Sequence, residues 1–168
     1  MQLELLSKEH EETLFQFELE NREWFESTIP ARDSEFYSLQ GVRLHIQLFL
    51  LDYTAKTLIP MLIIDDCGKI LGRVNVTNID REKHQAHIGY RIGKAFTNRG
   101  VAKFGVKSMI RMVEKLGIRE LIAYASLDNI ASRRVLEACG FRLVRLVPNY
   151  TELNNLPLDC LEFKLSIR

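Results

Sequence analysis

The amino-acid sequence predicts a mixed α/β fold, with a single, mostly antiparallel central sheet flanked by helices. The first half of the chain alternates short apolar runs with turn residues, which is typical of antiparallel strands. The second half alternates strands with amphipathic helices, which is typical of a βαβα unit. The chain has 168 residues, of which 46% are apolar, so we expect one domain over residues 1–168 with a sizeable core.

The N-terminal region is expected to hold one short strand and two helices. The strand covers Leu3–Leu6, and a helix with an acidic first turn follows it and ends at Pro30. Apolar residues then recur at helical spacing, which predicts a second helix from Asp33 or Ser34 to about residue 56.

A hairpin and a further strand come next. Apolar runs at Leu58–Asp65 and Ile70–Ile79 flank the segment "DDCGK", where Gly68 can adopt a positive φ. A polar connector then leads to a strand over Ala86–Ile92.

The remaining elements form the alternating second half, and glycines end both of its helices. In order, they are a helix at Val101–Leu116 closed by Gly117, a strand at Glu120–Ala125, a helix at Ile130–Cys139 closed by Gly140, and strands at Phe141–Leu146 and Cys160–Ser166 around a turn at Asn154-Asn155.

The segment "TNRGVA" joins a strand to the long helix and is a candidate anion site. The first N–H groups of a helix have no intrahelical partner and carry partial positive charge, so they can bind a pyrophosphate. Gly100 and Ala102 lack bulk there, while Lys94, Arg99 and Lys103 add charge. The alternative is an ordinary strand-to-helix loop, because a glycine-rich turn is weak evidence by itself.

A second candidate site is the segment "SLDNIASRRVLEACGF". Asp128 or Asn129 can cap the helix that begins near Ile130. Ser132 lies in the first turn of that helix. Read locally, these residues are only a cap and a small, tolerated side chain.

Two other features admit both a structural and a functional interpretation. His87 could act as a general base, since the pKa of histidine lies near neutrality, but a structural role is the more common one. His84 and His87 have no Cys or acidic partner at metal-ligand spacing, so we expect no metal site. Trp24 and Phe25 are either core residues or walls of a substrate cleft.

Bulk composition excludes several classes of protein. The net charge of +1 favours neither a nucleic-acid nor a membrane partner. Three cysteines without a C-x-x-C pair argue against a disulfide framework and against a zinc site, and we expect a packing or incidental role for them. The acidic N-terminus is not typical of a signal peptide, and no apolar run is long enough to span a bilayer. We therefore expect a cytoplasmic protein.

Taken in order, these segments resemble the Gcn5-related N-acetyltransferase (GNAT) superfamily. The superfamily motif Gln/Arg-x-x-Gly-x-Gly/Ala reads Thr97-Asn98-Arg99-Gly100-Val101-Ala102, with Thr97 in place of the basic or amide residue. Within the superfamily the chain is most similar to the Rim-type branch, which acetylates N-terminal amines of ribosomal proteins. The similarity lies in "ENREWF", "FYSLQG", "HIGYRIGKAFTNRGVA", "LDNIASRRVLEACGF" and "LNN…LD".

The resemblance implies acetyl-CoA as the acetyl donor, no metal, and direct transfer to a primary amine. It also implies roles for individual residues. Ser132 would contact the thiol, because the position of the superfamily's tyrosine acid holds Leu136, and His87 or Glu152 would be the base. The Ile92 N–H would donate to the thioester oxygen. The implied contacts to the cosubstrate are Tyr90, Arg91, Ile92, Asn98, Arg99, Gly100, Val101, Ala102, Lys103 and Asn129.

The acceptor that the resemblance implies is a protein N-terminal amine, and two alternatives stay open. The first is a small amine such as a polyamine or an aminoglycoside, which an acidic cleft would favour. The second is a non-catalytic acyl-CoA-binding module. A homodimer is compatible with the sequence, and no nucleic-acid or membrane partner is expected.

Overall fold

The computed structural model describes residues 1–168, which form seven strands and five α-helices. The strands are β1 (Gln2–Leu5), β2 (Ile59–Ile64), β3 (Ile70–Asp80), β4 (Gln85–Ile92), β5 (Glu120–Ser126), β6 (Arg142–Leu153) and β7 (Leu156–Ser166). The helices are α1 (Glu11–Glu20), α2 (Arg22–Glu26), α3 (Leu39–Thr54), α4 (Val101–Lys115) and α5 (Ile130–Ala138). No helix is long and apolar enough to cross a membrane.

All seven strands belong to one sheet, in the order β1-β2-β3-β4-β5-β7-β6. Every neighbouring pair is antiparallel except β4 and β5, which are parallel. The prediction of one mixed and mostly antiparallel sheet is therefore confirmed. The parallel pairing is short, because it joins only Gln85 to Glu120, Ala86 to Leu121 and His87 to Ile122.

Helices cover the two faces of the sheet with separate apolar clusters. On one face, α4 and α5 bury residues such as Val106, Met109 and Leu136 against the strands. On the other face, α1, α2 and α3 bury a smaller cluster that includes Phe25 and Ile46. We call these the α4/α5 face and the α1–α3 face. Burying this apolar surface is the main driving force that holds the helices on the sheet.

A glycine sets how closely α4 approaches the sheet. Gly105 is buried in the second turn of the helix, and a Cβ atom added there would lie 2.5 Å from Cδ1 of Ile63 and 3.5 Å from Cγ1 of Val74. The absence of a side chain therefore lets the helix backbone lie directly on β2 and β3. This close contact fixes where the N-terminal end of α4 lies relative to β4.

The N-terminal helices differ from the prediction. The predicted first helix is broken at Asn21 into α1 and α2. The second helix begins at Leu39 and not at Asp33 or Ser34, because the Ser38 hydroxyl caps it by accepting a hydrogen bond from the Gly41 N–H at 2.9 Å. Residues 34–36 form a separate 3-10 turn.

The last two strands are longer than predicted and meet in a tight turn. Asn154 and Asn155 have φ values of 52° and 61°, which is typical of a two-residue type I′ hairpin, so the predicted turn is confirmed. β6 is the outer strand of the sheet, and its pairing with β7 shifts register at two places, between residues 143 and 145 and between residues 147 and 151. The second shift contains Asn149, with a φ of 51°.

Gly105→Ala tests the close contact between α4 and the sheet. Helix propensity alone predicts that alanine stabilises α4 by about 1 kcal/mol. The contact with fully buried Ile63 predicts the opposite, a loss of about 1–3 kcal/mol in the free energy of unfolding, because the core must move to admit the methyl group. Urea denaturation measures the difference. Lys107→Ala, on the exposed side of the same helix, is the control, and a more stable Gly105→Ala variant would contradict the packing argument.

Candidate active site

The open edge of β4 is the first feature of the site. β4 pairs with β5 only as far as His87, and from there to Ile92 it is bonded to β3 alone. Successive backbone groups of a strand point to opposite sides. The Gly93 N–H donates to the Leu71 carbonyl at 2.9 Å on the β3 side, so the N–H groups of Tyr90 and Ile92 point into the gap. The backbone groups of Arg91 point towards β3, away from the gap.

The turn between β4 and α4 presents a series of free N–H groups. None of the backbone N–H groups of residues 98–103 donates a hydrogen bond within the protein, and α4 has no side-chain cap. Asn98 and Gly100 adopt left-handed φ values of 60° and 75°, which turns the chain tightly at this point. Thr97 takes no part in this group, since its hydroxyl donates to the Lys94 carbonyl at 2.9 Å. The predicted anion site therefore has the required free donors.

The N-terminal end of α5 lies across the gap from β4. Asn129 is the N-cap, because its Oδ1 accepts from the Ser132 N–H at 3.1 Å, and its amide NH₂ group makes no hydrogen bond. The Tyr90 hydroxyl lies 2.9 Å from Oγ of Ser132 and 3.1 Å from the Ser132 carbonyl oxygen. Burial raises the pKa of Tyr90 to about 12, so its hydroxyl remains protonated and holds Ser132 in place. The sequence analysis did not identify this hydroxyl.

The side of the sheet opposite to Ser132 carries the first base candidate. His87 lies on β4 with its ring 5.8 Å from that of Tyr124, which in turn stacks on Tyr150 at 4.4 Å. Burial lowers the pKa of His87, and the nearby Glu162 carboxylate opposes this in part. The imidazole is therefore mostly neutral at pH 7 and able to accept a proton.

Glu162 is a buried carboxylate that the sequence analysis missed. It accepts hydrogen bonds from Arg145, at 3.1 and 2.9 Å, and from the Tyr124 hydroxyl at 3.1 Å. Burial favours a higher pKa, but these bonds outweigh it and the pKa of Glu162 is lowered. The residue is thus ionised and supports the Tyr124 ring beside His87. The sequence carries no local pattern that predicts this, because the residues around Glu162 come from β4, β5 and β6.

Glu152, the other base candidate, is exposed near the β6–β7 turn, where it faces Pro157. In the hairpin, Glu152 pairs with Pro157, which alternates along β7 with the residues that share a side with Glu162. Glu152 therefore points to the side of the sheet opposite to His87.

Helix α2 is tied to the end of β4. The Trp24 indole N–H donates to the Ile92 carbonyl at 3.0 Å, and Oδ1 of Asn21 accepts from the Lys94 N–H at 2.9 Å. Phe25 is 3% exposed and is a core residue, whereas Trp24 is half-buried at the gap. The core interpretation is therefore confirmed for Phe25, whereas Trp24 borders the gap.

Together these features can hold an extended ligand with an anionic end. The gap offers free strand N–H groups to its middle, the turn before α4 offers donors to an anion, and hydroxyl and imidazole groups lie on opposite sides. No group of three or more His, Cys, Asp or Glu side chains is placed to hold a metal ion.

The sequence matches a known protein family and resembles proteins of known structure. Residues 1–142 match the domain family described as "Acetyltransferase (GNAT) domain". A Bacillus subtilis protein named "Putative ribosomal N-acetyltransferase YdaF" is 31% identical over 75 residues, which cover 44% of this chain and 41% of YdaF. The matched stretch thus spans less than half of that relative.

Two solved structures share the fold over nearly the whole chain. The ribosomal-protein-S5-alanine acetyltransferase of Vibrio fischeri has a TM-score of 0.92 at 21% identity, covering 98% of this chain and 91% of its own. The ribosomal L7/L12 α-N-protein acetyltransferase RimL, solved with coenzyme A, has a TM-score of 0.90 at 22% identity, covering 98% and 93%.

The electrostatics around His87 are open to direct measurement. We expect the His87 imidazole to titrate below its ordinary pKa of about 6.5, because burial disfavours the charged form. Glu162→Gln should lower this pKa further, since it removes a nearby negative charge. NMR titration of the imidazole measures both values, with Glu152→Gln as the matched control at an exposed position. A His87 pKa that rises in Glu162→Gln would contradict this account.

Proposed function

Because residues 1–142 match its domain, this chain belongs to the GNAT family of acetyl-CoA-dependent acetyltransferases, and we propose that it acetylates the N-terminal amine of a protein. The observation that carries the proposal is the gap between β4 and β5, which leads along one stretch of chain into the free N–H groups of residues 98–103. Free N–H donors arranged in this order suit a long ligand that carries a thioester at one end and a pyrophosphate further along.

The residues present fit acetyl-CoA. The N–H groups of Asn98, Arg99, Gly100, Val101, Ala102 and Lys103 would bind the pyrophosphate, as helix N-termini commonly do. Tyr90 and Ile92 would pair with the pantetheine arm through their backbone, as an added strand does. Asn129 would contribute its amide NH₂ group, because its oxygen is used in capping α5.

When bound, acetyl-CoA supplies an acetyl thioester to the gap. The Ile92 N–H is the donor for the thioester oxygen, since its own carbonyl is held by Trp24 and its N–H has no partner. Ser132 would donate a hydrogen bond to the departing sulfur, with its hydroxyl oriented by Tyr90. The chain needs no nucleophile of its own for this direct transfer.

The attacking amine must be neutral, so one residue must accept its proton. We propose His87 for this role. It is half-buried beside the gap, and its lowered pKa leaves it unprotonated at neutral pH. Glu152 is the rival, but it is exposed near the tip of a hairpin. In this proposal His87 accepts the proton of the amine on one side of the sheet, and Ser132 donates a hydrogen bond to the sulfur on the other side.

The choice of acceptor is supported by two lines of argument. The relatives of the same fold include proteins named as acetyltransferases of ribosomal proteins. Three arginines, Arg32, Arg73 and Arg91, cluster on the α1–α3 face around one carboxylate, Glu18. This local excess of positive charge disfavours a polyamine, which weighs against the small-amine alternative.

Gly100→Glu tests the binding of acetyl-CoA. It places bulk and a negative charge among the donors meant for the pyrophosphate, and we expect affinity to fall by roughly 100-fold or more, about 3 kcal/mol. Gly117→Glu is a matched control, since Gly117 lies at the other end of α4 with a similar φ, 82° against 75°, and equally open surroundings. Calorimetric titration measures the dissociation constants. Equal losses in the two variants would argue against the assigned site.

The pH dependence of the reaction distinguishes the two bases. With His87 as base, kcat/KM should fall as pH drops through a pKa below about 6.5, because the protonated imidazole cannot accept a proton. His87→Gln should remove most of the activity and this acidic limb, whereas Glu152→Gln should keep both. Release of free thiol, followed against pH with an N-terminal peptide, gives the profiles. The reverse pattern would assign the base to Glu152.

A further inference from the structure

Two arginines lie side by side on the α1–α3 face. Arg73 of β3 and Arg91 of β4 are direct partners in the antiparallel register. They form a hydrogen-bonded pair, because the Gly93 N–H donates to the Leu71 carbonyl two residues further along the same ladder. Their Cα atoms are therefore about 5.5 Å apart. Arg73 is only 2% exposed. Like charges that face each other across a sheet are destabilising unless an anion balances them.

The protein supplies only one carboxylate to balance this charge. Oε1 of Glu18 accepts from both Arg73 and Arg32, and Glu18 is fully buried. His45 adds no negative charge, and its Nε2 lies 2.7 Å from Nη2 of Arg73. Burial, together with the nearby arginines, lowers the pKa of His45 to about 2, so the ring is neutral. Three guanidinium groups thus share one carboxylate.

Arg91 is the guanidinium without a partner. It makes no hydrogen bond or salt bridge within the protein, and its nearest aromatic contact is the Phe25 ring at 5.4 Å. Burial, with the charges of Arg32 and Arg73, lowers the pKa of Arg91 to about 10, even though Glu18 and Tyr37 oppose this. The side chain still carries its charge at neutral pH. A largely buried and unpaired cation is costly for a protein unless a ligand neutralises it.

The surface next to Arg91 is open. Gly89 lies two residues earlier on the same side of β4, and a Cβ atom there would meet nothing within 4 Å. Its partner across the sheet is Asn75, whose Oδ1 is buried without a hydrogen-bond donor. His87 comes two residues before Gly89. One side of β4 therefore carries a base, an opening with an unused acceptor, and a free cation in succession.

We propose that Arg91 binds an anionic group carried by the acceptor close to its reactive amine, so that the protein selects N-termini with an acidic or phosphorylated residue at the second position. The inference rests on the proposed N-terminal acetylation. It adds the chemical class of the substrate. The guanidinium suits a carboxylate and a phosphate alike, since it can donate to both in a bidentate manner.

Matched peptides test this selection. Three acceptors that differ only at position 2, with glutamate, glutamine or phosphoserine, are compared by kcat/KM. We expect kcat/KM for the glutamate or phosphoserine peptide to exceed that for the glutamine peptide by roughly 10- to 100-fold, because only the acidic peptides form a charged hydrogen bond with Arg91. Comparing the two acidic peptides identifies the preferred anion. Equal rates for all three peptides would overturn the proposal.

Substitution of Arg91 tests the residue itself. In Arg91→Gln the ratio between acidic and glutamine peptides should fall to about one, and in Arg91→Lys part of it should return. Arg43→Gln is the control, because Arg43 is a surface arginine paired with Glu11 at 2.6 Å on α1, and its ratio should match that of the wild type. Thermal unfolding of Arg91→Gln checks the fold. A full acid preference in folded Arg91→Gln would overturn the assignment.

Binding without turnover separates this inference from the proposed function. Calorimetry measures the glutamate and glutamine peptides on the enzyme with coenzyme A. Acetylation with no acid preference leaves the proposed function standing and overturns this inference. Tighter binding of the glutamate peptide, lost in Arg91→Gln, supports the anion site even if no peptide is acetylated.

Discussion

The structure depends on the parting of β4 from β5. The two strands are parallel for only three residue pairs, and beyond His87 the sheet opens although both strands continue. An interior strand edge without partners is costly, because its N–H and C=O groups lose water without gaining bonds. The Trp24 indole offsets part of this cost by donating to the Ile92 carbonyl, whereas the Ile92 N–H has no partner within the protein. Helices α2 and α5 both contact β4 at this opening, through Trp24 on the Ile92 carbonyl and through Ser132 on the Tyr90 hydroxyl.

The alternation of side chains along β4 places different groups of the proposed reaction on the two sides of one short strand. Tyr90 points to the α4/α5 side, where it meets Ser132, and His87 and Arg91 point to the other side. In the proposed reaction, the proton that leaves the amine and the hydrogen bond that the sulfur receives are therefore separated by the sheet itself. A shift of one residue in the register of β4 would exchange these roles, so the pairing with β3 matters as much as the identity of the residues.

Much of this arrangement could be predicted from the sequence where the signals are local. The glycine-rich turn, the Asn129 cap and the Asn154-Asn155 turn each depend on a few adjacent residues, and the backbone there is as expected. The start of α3 was misplaced because Asp33, Ser34 and Ser38 all suit an N-cap, and only packing selects Ser38. The arginine cluster was missed entirely, since Arg73 and Glu18 are 55 residues apart and no pattern in either segment indicates that they meet. Long-range pairing of buried charge is a property of the fold and not of any one segment.

The irregular outer strand has a consequence for association between molecules. A long and flat edge strand with apolar side chains offers its free backbone groups to any other strand, and this is a common origin of aggregation. β6 exposes Leu143, Val144 and Leu146, but its register with β7 is broken twice and Pro148 removes one donor. Its row of backbone donors is therefore interrupted, which disfavours pairing with a second strand along this edge. The irregularity of this hairpin thus lowers the tendency of the protein to associate with copies of itself edge to edge.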